Sequence, residues 1–204
     1  MLSFKMAVVP VLFALLCVLD LARADGVRNM TGTWSSGSQQ VLTGAVNGNM
    51  FYNPIKKLFN VPPVAGVSYS FTPDGYFEMA RVKYNSSSEK PQCFKASLMW
   101  QHGTYEVHNK TSFTMHPYKG DGAVQIIDPC ADGEKQVMID EPISNWTTYV
   151  ESEPVYQPPG TKSAFSMQMY AANGQPFPKL YLTHDPPNML PTQQIFRYVI
   201  GASG

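Results

Sequence analysis

Apolar and polar side chains alternate with period two along most of the chain from Gly32 onward, and no window sustains the i, i+3, i+4, i+7 spacing of an amphipathic helix. Val67-Ser68-Tyr69-Ser70-Phe71 alternates, Pro73-Asp74-Gly75 supplies residues suited to a tight turn, and Tyr76 to Tyr84 resumes as a long strand, so a hairpin is expected. Ser97 to His102 and Thr104 to His108 flank Gly103 as two strands of a meander that continues through Ser112 to His116 and Val124 to Ile127. Trp146 to Glu151 and Val155 to Gln157 are separated by a proline. Ser163 to Tyr170 is expected to pair with Lys179 to Thr183 through Asn173-Gly174, the strongest short hairpin signal. Ile55-Lys56-Lys57-Leu58-Phe59 is long enough for one or two helical turns before Pro62-Pro63 stops them, and it reads as a loop.

About nine or ten strands at this spacing predict an all-β domain, a single antiparallel barrel or barrel-like sandwich, because so wide a sheet hides its edges by closing or folding over. Gly32-Thr33-Trp34 resembles the start of a lipocalin-type barrel, where the Trp plugs one end; a strand Trp in any β core fits the same three residues.

The first residues change the compartment. Lys5, an uncharged stretch from Met6 to Leu19 and Ala22-Arg23-Ala24 before Asp25 form the charged, apolar and small-x-small regions of a signal peptide. Fourteen residues are too few for the roughly 20 that span a bilayer. Residues 1–24 are therefore expected to be removed, leaving 25–204 as one luminal β domain.

The full chain carries 15 basic and 15 acidic groups; subtracting Lys5, Arg23 and Asp20 leaves 13 and 14. A balance so close to zero offers no field for a phosphate backbone, and nucleic acid is excluded as a partner. Cys17 leaves with the signal. Cys93 and Cys130 remain as an even pair in an oxidising compartment, open to one intramolecular bridge or to two free or intermolecularly paired thiols. Their separation is far from a redox CxxC. Asn-x-Ser/Thr triplets at Asn29, Asn85, Asn109 and Asn145 are candidate glycan acceptors, a modest excess over chance.

Candidate chemistry is sparse. His102, His108 and His116 are evenly spread, but Gly103 interrupts their register and no carboxylate joins them at ligand spacing, so no metal site is expected. Asp74, Asp121, Asp128 and Asp132 lie in apparent turns, where capping explains them. Glu78 and Glu106 are the only strand carboxylates a glycosidase could use, and they read as solvated strand faces. No nucleophile elbow, phosphate loop or dinucleotide fingerprint occurs, and neither catalysis nor a cofactor is expected. Trp34, Trp100 and Trp146 could stack on a sugar or another small ligand, which keeps a secreted carbohydrate-binding or small-ligand module as the alternative. The methionines, including Met79, Met99, Met115, Met167 and Met169, suit either a core or an adaptable client surface, and those sharing a strand face with Phe165 read as interior.

Longer blocks are more specific: Gly32-Thr33-Trp34-Ser35-Ser36, Gly66 to Thr72 with Asp74-Gly75 and Phe77-Glu78, Trp100-Gln101-His102-Gly103-Thr104-Tyr105, Asp128-Pro129-Cys130, and Pro186-Pro187 with Met189-Leu190-Pro191-Thr192. In order and spacing these resemble the fungal reversal-of-Tor-lethality family, from about Gly32 to Thr192. The resemblance implies a glycosylated chaperone of the endoplasmic reticulum that assists folding of secretory and membrane proteins and supports cell-wall β-1,6-glucan. Its partners would be partly folded clients and other luminal chaperones, with no catalytic residue and with Cys93 and Cys130 paired. It also implies a C-terminal membrane anchor. The final apolar run, Ile195 to Ile200, holds Arg197 and is too short to span a bilayer, so the expectation is a truncated chain or a luminal product.

Overall fold

The computed structural model describes residues 30–86, 93–108, 112–130, 133–139, 144–152, 165–171, 173–190 and 192–195, with strand backbone alone for 133–139 and 144–152. All regular structure among them is strand: β1 (Gly32–Ser36), β2 (Ala45–Val46), β3 (Asn49–Met50), β4 (Tyr52–Asn53), β5 (Leu58–Phe59), β6 (Gly66–Phe71), β7 (Tyr76–Ser86), β8 (Phe94–Val107), β9 (Ser112–Pro117), β10 (Gly122–Asp128), β11 (Gly133–Ile139), β12 (Ser144–Ser152), β13 (Phe165–Ala171) and β14 (Leu180–His184). The signal-peptide segment, Asn29, Asn109 and the strand expected at Val155 to Gln157 lie outside the described residues.

Antiparallel pairing runs β8-β7-β6-β1-β14-β13-β12-β9 and returns from β9 to β8, so eight strands form a closed ring in simple up-and-down order. This is the connectivity of lipocalin-type barrels. The seam between β13 and β14 is narrow, at Ser166↔Tyr181 and Met167↔Leu180; beyond it the Asn173-Gly174 turn closes β13 locally, with Ala171 N donating to Gln175 O at 2.9 Å.

Two departures from the strand reading share one cause. β8 is a single strand running straight through Gly103, and it forks: Ala96–Trp100 pair with β10, Gly103–Val107 with β9. A Cβ on Gly103 would stand 2.1 Å from His116 O and 2.8 Å from Pro117 Cα. The glycine is thus a close-approach position that lets β9 come in beside β8, where sequence alone reads a break. The hairpin β10–β11 diverges from the ring at this fork, and its second strand has no strong alternation to announce it.

Alternation along the ring sorts the core. Phe77 and Met79 on β7, Met99 and Tyr105 on β8, Tyr69 and Phe71 on β6, with Trp34, Phe113, Met115, Met167, Met169 and Leu180, fill the barrel interior. The named methionines are therefore core residues. Trp34 is 1% exposed and donates Nε1 to Met30 O at 2.7 Å. A second cluster lies on the outer face: Ala80 and Val82 of β7, Ala96, Leu98 and Trp100 of β8, covered by Val41, Phe51, Tyr52, Phe59 and Leu190. The segment read as a loop at Ile55 to Phe59 is the tip and return of the small hairpin β4–β5, which helps build this cover.

Candidate functional site

The outer face of β7 and β8 carries charge as well as apolar surface. Glu78 alternates with Ala80, which puts it on the covered side, and it is 1% exposed. Its Oε1 accepts from Trp100 Nε1 at 2.8 Å and Gly44 N at 3.3 Å, and its Oε2 from Leu190 N at 2.6 Å. Burial pushes the carboxyl above its ordinary 4.5, and these three donors pull against that rise. The expectation of a solvated strand carboxylate is overturned: period two fixes the face, and here both faces are covered. Glu106 has a side chain 70% exposed, with His116 Nε2 at 3.9 Å.

One register step along, His102 stacks on Trp100 at 4.8 Å between ring centroids and its Nε2 lies 2.9 Å from Asp121 Oδ2. Asp121 also accepts from Ile195 N. Sequence placed Asp121 in a turn, and its N closes one onto Tyr118 O at 3.1 Å; its carboxylate does not cap that turn but is buried, 0% exposed, as the partner of a buried histidine. On the other flank Asn188 gathers β1, β6 and the loop before β2. Its carbonyl accepts from Ser70 Oγ at 2.8 Å and Thr43 Oγ1 at 3.1 Å, its amide donates to Thr33 Oγ1 at 2.7 Å, and its side chain donates to Thr43 O and Ala45 O. Gly44, at φ 66°, allows the approach, since a Cβ there would lie 2.6 Å from Asn188 Oδ1. Residues 188–190 and 192–195 therefore form a strap pinned across the barrel by Asn188, Glu78 and Asp121.

The other candidate residues scatter. Trp100 is 0% exposed beneath Tyr52, whose ring centroid is 4.9 Å away. Neither Trp34 nor Trp100 can present a ring to a ligand, which corrects the stacking-platform expectation; Trp146 lies on β12, whose side chains are not described. The carbohydrate-binding alternative loses two of its three platforms. His108 Nε2 meets Thr114 Oγ1, and among the described residues no three His, Cys, Asp or Glu side chains converge on a metal position. Cys93 and Cys130 are joined, linking the start of β8 to the turn after β10, beside a Lys95–Asp128 ion pair at 3.1 Å. Asn85 is exposed on β7, and Asn145 lies on β12. No helix among the described residues is long and apolar enough to cross a membrane.

Sequence reasoning missed the solvent-facing apolar side chains. Ile55 is 88% exposed, Leu58 53%, Val61 49%, Phe94 46% and Tyr84 36%. Tyr84 donates to Pro62 O at 2.8 Å and meets Phe94 edge-on at 6.3 Å, and Val107, 58% exposed, stands at the far end of β8. Two lysines between Ile55 and Leu58 were the available signal.

The comparisons fit this arrangement. Residues 30–199 match the Rot1 family, described as a fungal chaperone for protein folding within the endoplasmic reticulum. The chain is 40% identical to Protein ROT1 of Candida glabrata over 90% of its own length and 66% of the relative's, 36% identical to rot1 of Schizosaccharomyces pombe over 82% and 68%, and 34% identical to ROT1 of Saccharomyces cerevisiae over 84% and 64%. It thus spans about two thirds of the length of these relatives. No solved structure matches it. With the match covering every strand described above, the chain belongs to the Rot1 family of fungal endoplasmic-reticulum folding chaperones.

Proposed function

We propose that this protein is a non-catalytic chaperone of the endoplasmic-reticulum lumen that holds partly folded secretory and membrane proteins, works beside other luminal chaperones, and through its clients supports cell-wall β-1,6-glucan synthesis. The observation that carries the reading is the pairing of family membership with exposed aliphatic and aromatic side chains at Ile55, Leu58, Val61, Tyr84 and Phe94. Apolar side chains left in water, with Tyr84 against Phe94 and Pro62, offer a surface for a client chain to touch. Glu78 is sealed from solvent and accepts from two backbone N–H groups and one indole N–H, so it supports structure and not hydrolysis. A disulfide and an exposed glycan acceptor at Asn85 suit the same compartment.

The test is light scattering from a chemically denatured secretory glycoprotein diluted into the purified protein. Suppression of aggregation at stoichiometric amounts is expected; scattering equal to that with an inert control protein defeats the reading. Lower β-1,6-glucan in cells depleted of the protein, restored by the full-length form, is the expected cellular result.

A further inference from the structure

The strap crosses the barrel without joining its ladder of paired strands. Among the described residues, none of 186–195 makes a backbone–backbone hydrogen bond to a strand. The barrel meets the strap's main chain with side chains instead. Asn188 N donates to Thr33 Oγ1 at 2.7 Å, Leu190 N to Glu78 Oε2 at 2.6 Å and Ile195 N to Asp121 Oδ2, while Thr192 O accepts from Tyr118 OH at 3.1 Å. Bonds of this kind register that a main chain is present, whatever residues it carries.

One strap side chain is sunk into the wall. Leu190 is 8% exposed and joins the apolar cluster of Ala80, Val82, Leu98 and Trp100, whereas Met189, Thr192, Gln194 and Ile195 are half-buried and Gln193 is exposed. The acceptors are also fixed independently of the strap, Glu78 by Trp100 Nε1 and Gly44 N, and Asp121 by His102 Nε2. The outer face of β7 and β8 is therefore a preorganised seat for an extended chain, with one aliphatic socket and main-chain acceptors on either side of it. Exchanging the strap for another extended chain replaces each bond by one of its own kind, so no buried acceptor is left unpaired.

We propose that this seat is a client-binding site, occupied in the resting protein by the strap, that takes extended segments of unfolded polypeptide bearing an aliphatic side chain on a residue with a free N–H. The proposal rests on the chaperone reading and names a second contact within it. Proline is excluded at the Leu190 position, because it has no N–H to give Glu78. The tethered strap competes with every client, which is seated only in the fraction of molecules whose strap has lifted.

Two measurements on the full chain test this. Hydrogen exchange of the unaltered protein is followed with and without reduced, carboxymethylated lactalbumin, a permanently unfolded chain. Bound lactalbumin is expected to speed exchange at the Leu190 and Ile195 amides while the amides of β7 and β8 keep their protection. Unchanged exchange at both strap amides with lactalbumin bound overturns the proposal. If light scattering is still suppressed in that case, the chaperone reading stands without it; if scattering is not suppressed, that reading fails by itself.

The second measurement is fluorescence anisotropy of a labelled peptide with the sequence of residues 186–195, added to wild type and to a Leu190→Asp variant whose circular dichroism matches wild type. The variant's strap no longer fits its socket, so the peptide is expected to bind it at least about ten-fold more tightly. Unlabelled lactalbumin should displace the peptide, and the same peptide carrying Leu190→Asp should not bind, which separates seating from adhesion to a misfolded chain. Equal affinity for the two proteins overturns the proposal. So does a bound peptide that lactalbumin fails to displace, which together with wild-type dimers on size exclusion gives the seat to the strap of a second copy.

Discussion

The Glu78 carboxylate accepts a hydrogen bond from Leu190 N at 2.6 Å, across 112 residues of chain. The same carboxylate takes Trp100 Nε1 and Gly44 N. One buried side chain thus ties the strap, the loop before β2 and the forked strand β8 to the barrel wall.

Glu78→Gln keeps an oxygen for Trp100 and Gly44 but turns an NH2 toward Leu190 N, placing two donors face to face. A loss of about 1 to 3 kcal/mol of folding free energy is expected, the usual cost of orphaning a buried donor. Denaturant unfolding measures it, and hydrogen exchange at the Leu190 amide should accelerate. Unchanged stability with unchanged Leu190 protection would show that the latch does not hold the strap.

The pH dependence of this latch has a defined sign. Burial raises the Glu78 pKa above 4.5, so the folded protein binds that proton more tightly than the unfolded chain. The contribution is fully present below 4.5 and is lost as pH rises through the folded value. The difference in unfolding free energy between wild type and Glu78→Gln should therefore fall as pH rises above 4.5. A difference that grows with pH would mean the carboxylate is held ionised instead.

Cys93 and Cys130 are 37 positions apart, and their bond ties the start of β8 to the far end of β10. Replacing both by Ser should cost about 4 kcal/mol on the chain-entropy model, within a range of about 0 to 5. A thermal melt in oxidising buffer checks it. Wild type under reductant should converge on the variant; a gap that persists would assign the loss to the serines and not to the bond.

Gly103→Ala puts a methyl into the carbonyl of His116, backbone that cannot swing aside. The pairing of β9 with β8 closes the barrel, so the strain falls on the closure. A cost of about 1 to 3 kcal/mol or more is expected, as for overpacking elsewhere. By contrast Gly48→Ala, where a Cβ meets open space but φ is 79°, should cost about 1 kcal/mol from backbone strain alone.

Much of the barrel was legible because one face of most ring strands is apolar. The hairpin at Pro73-Asp74-Gly75 and the turn at Asn173-Gly174 were announced by residues that accept the required angles, and Gly75 and Gly174 have φ of 89° and 80°. What stayed hidden depended on contacts distant in sequence. Glu78 reads as solvated until Leu190 covers it, and Asp121 reads as a turn residue until His102 and Ile195 meet it. Gly103 reads as a break because alternation cannot reveal a second backbone arriving beside it. Four of the five blocks that carried the family resemblance meet in this region: Thr33, Ser70, Glu78, Trp100 and His102 lie beneath or beside the strap, and Leu190 is part of it. The exposed apolar side chains had only a weak signal, since Ile55 and Leu58 resemble core residues until their neighbours are placed.

The claim that this protein works by apolar contact with unfolded chains is tested most directly by aggregation suppression with an Ile55→Asp/Leu58→Asp variant, at matched unfolding midpoint to wild type. Both positions are exposed, so the fold should persist while suppression of the denatured client's scattering falls several-fold. A variant as protective as wild type would contradict the account.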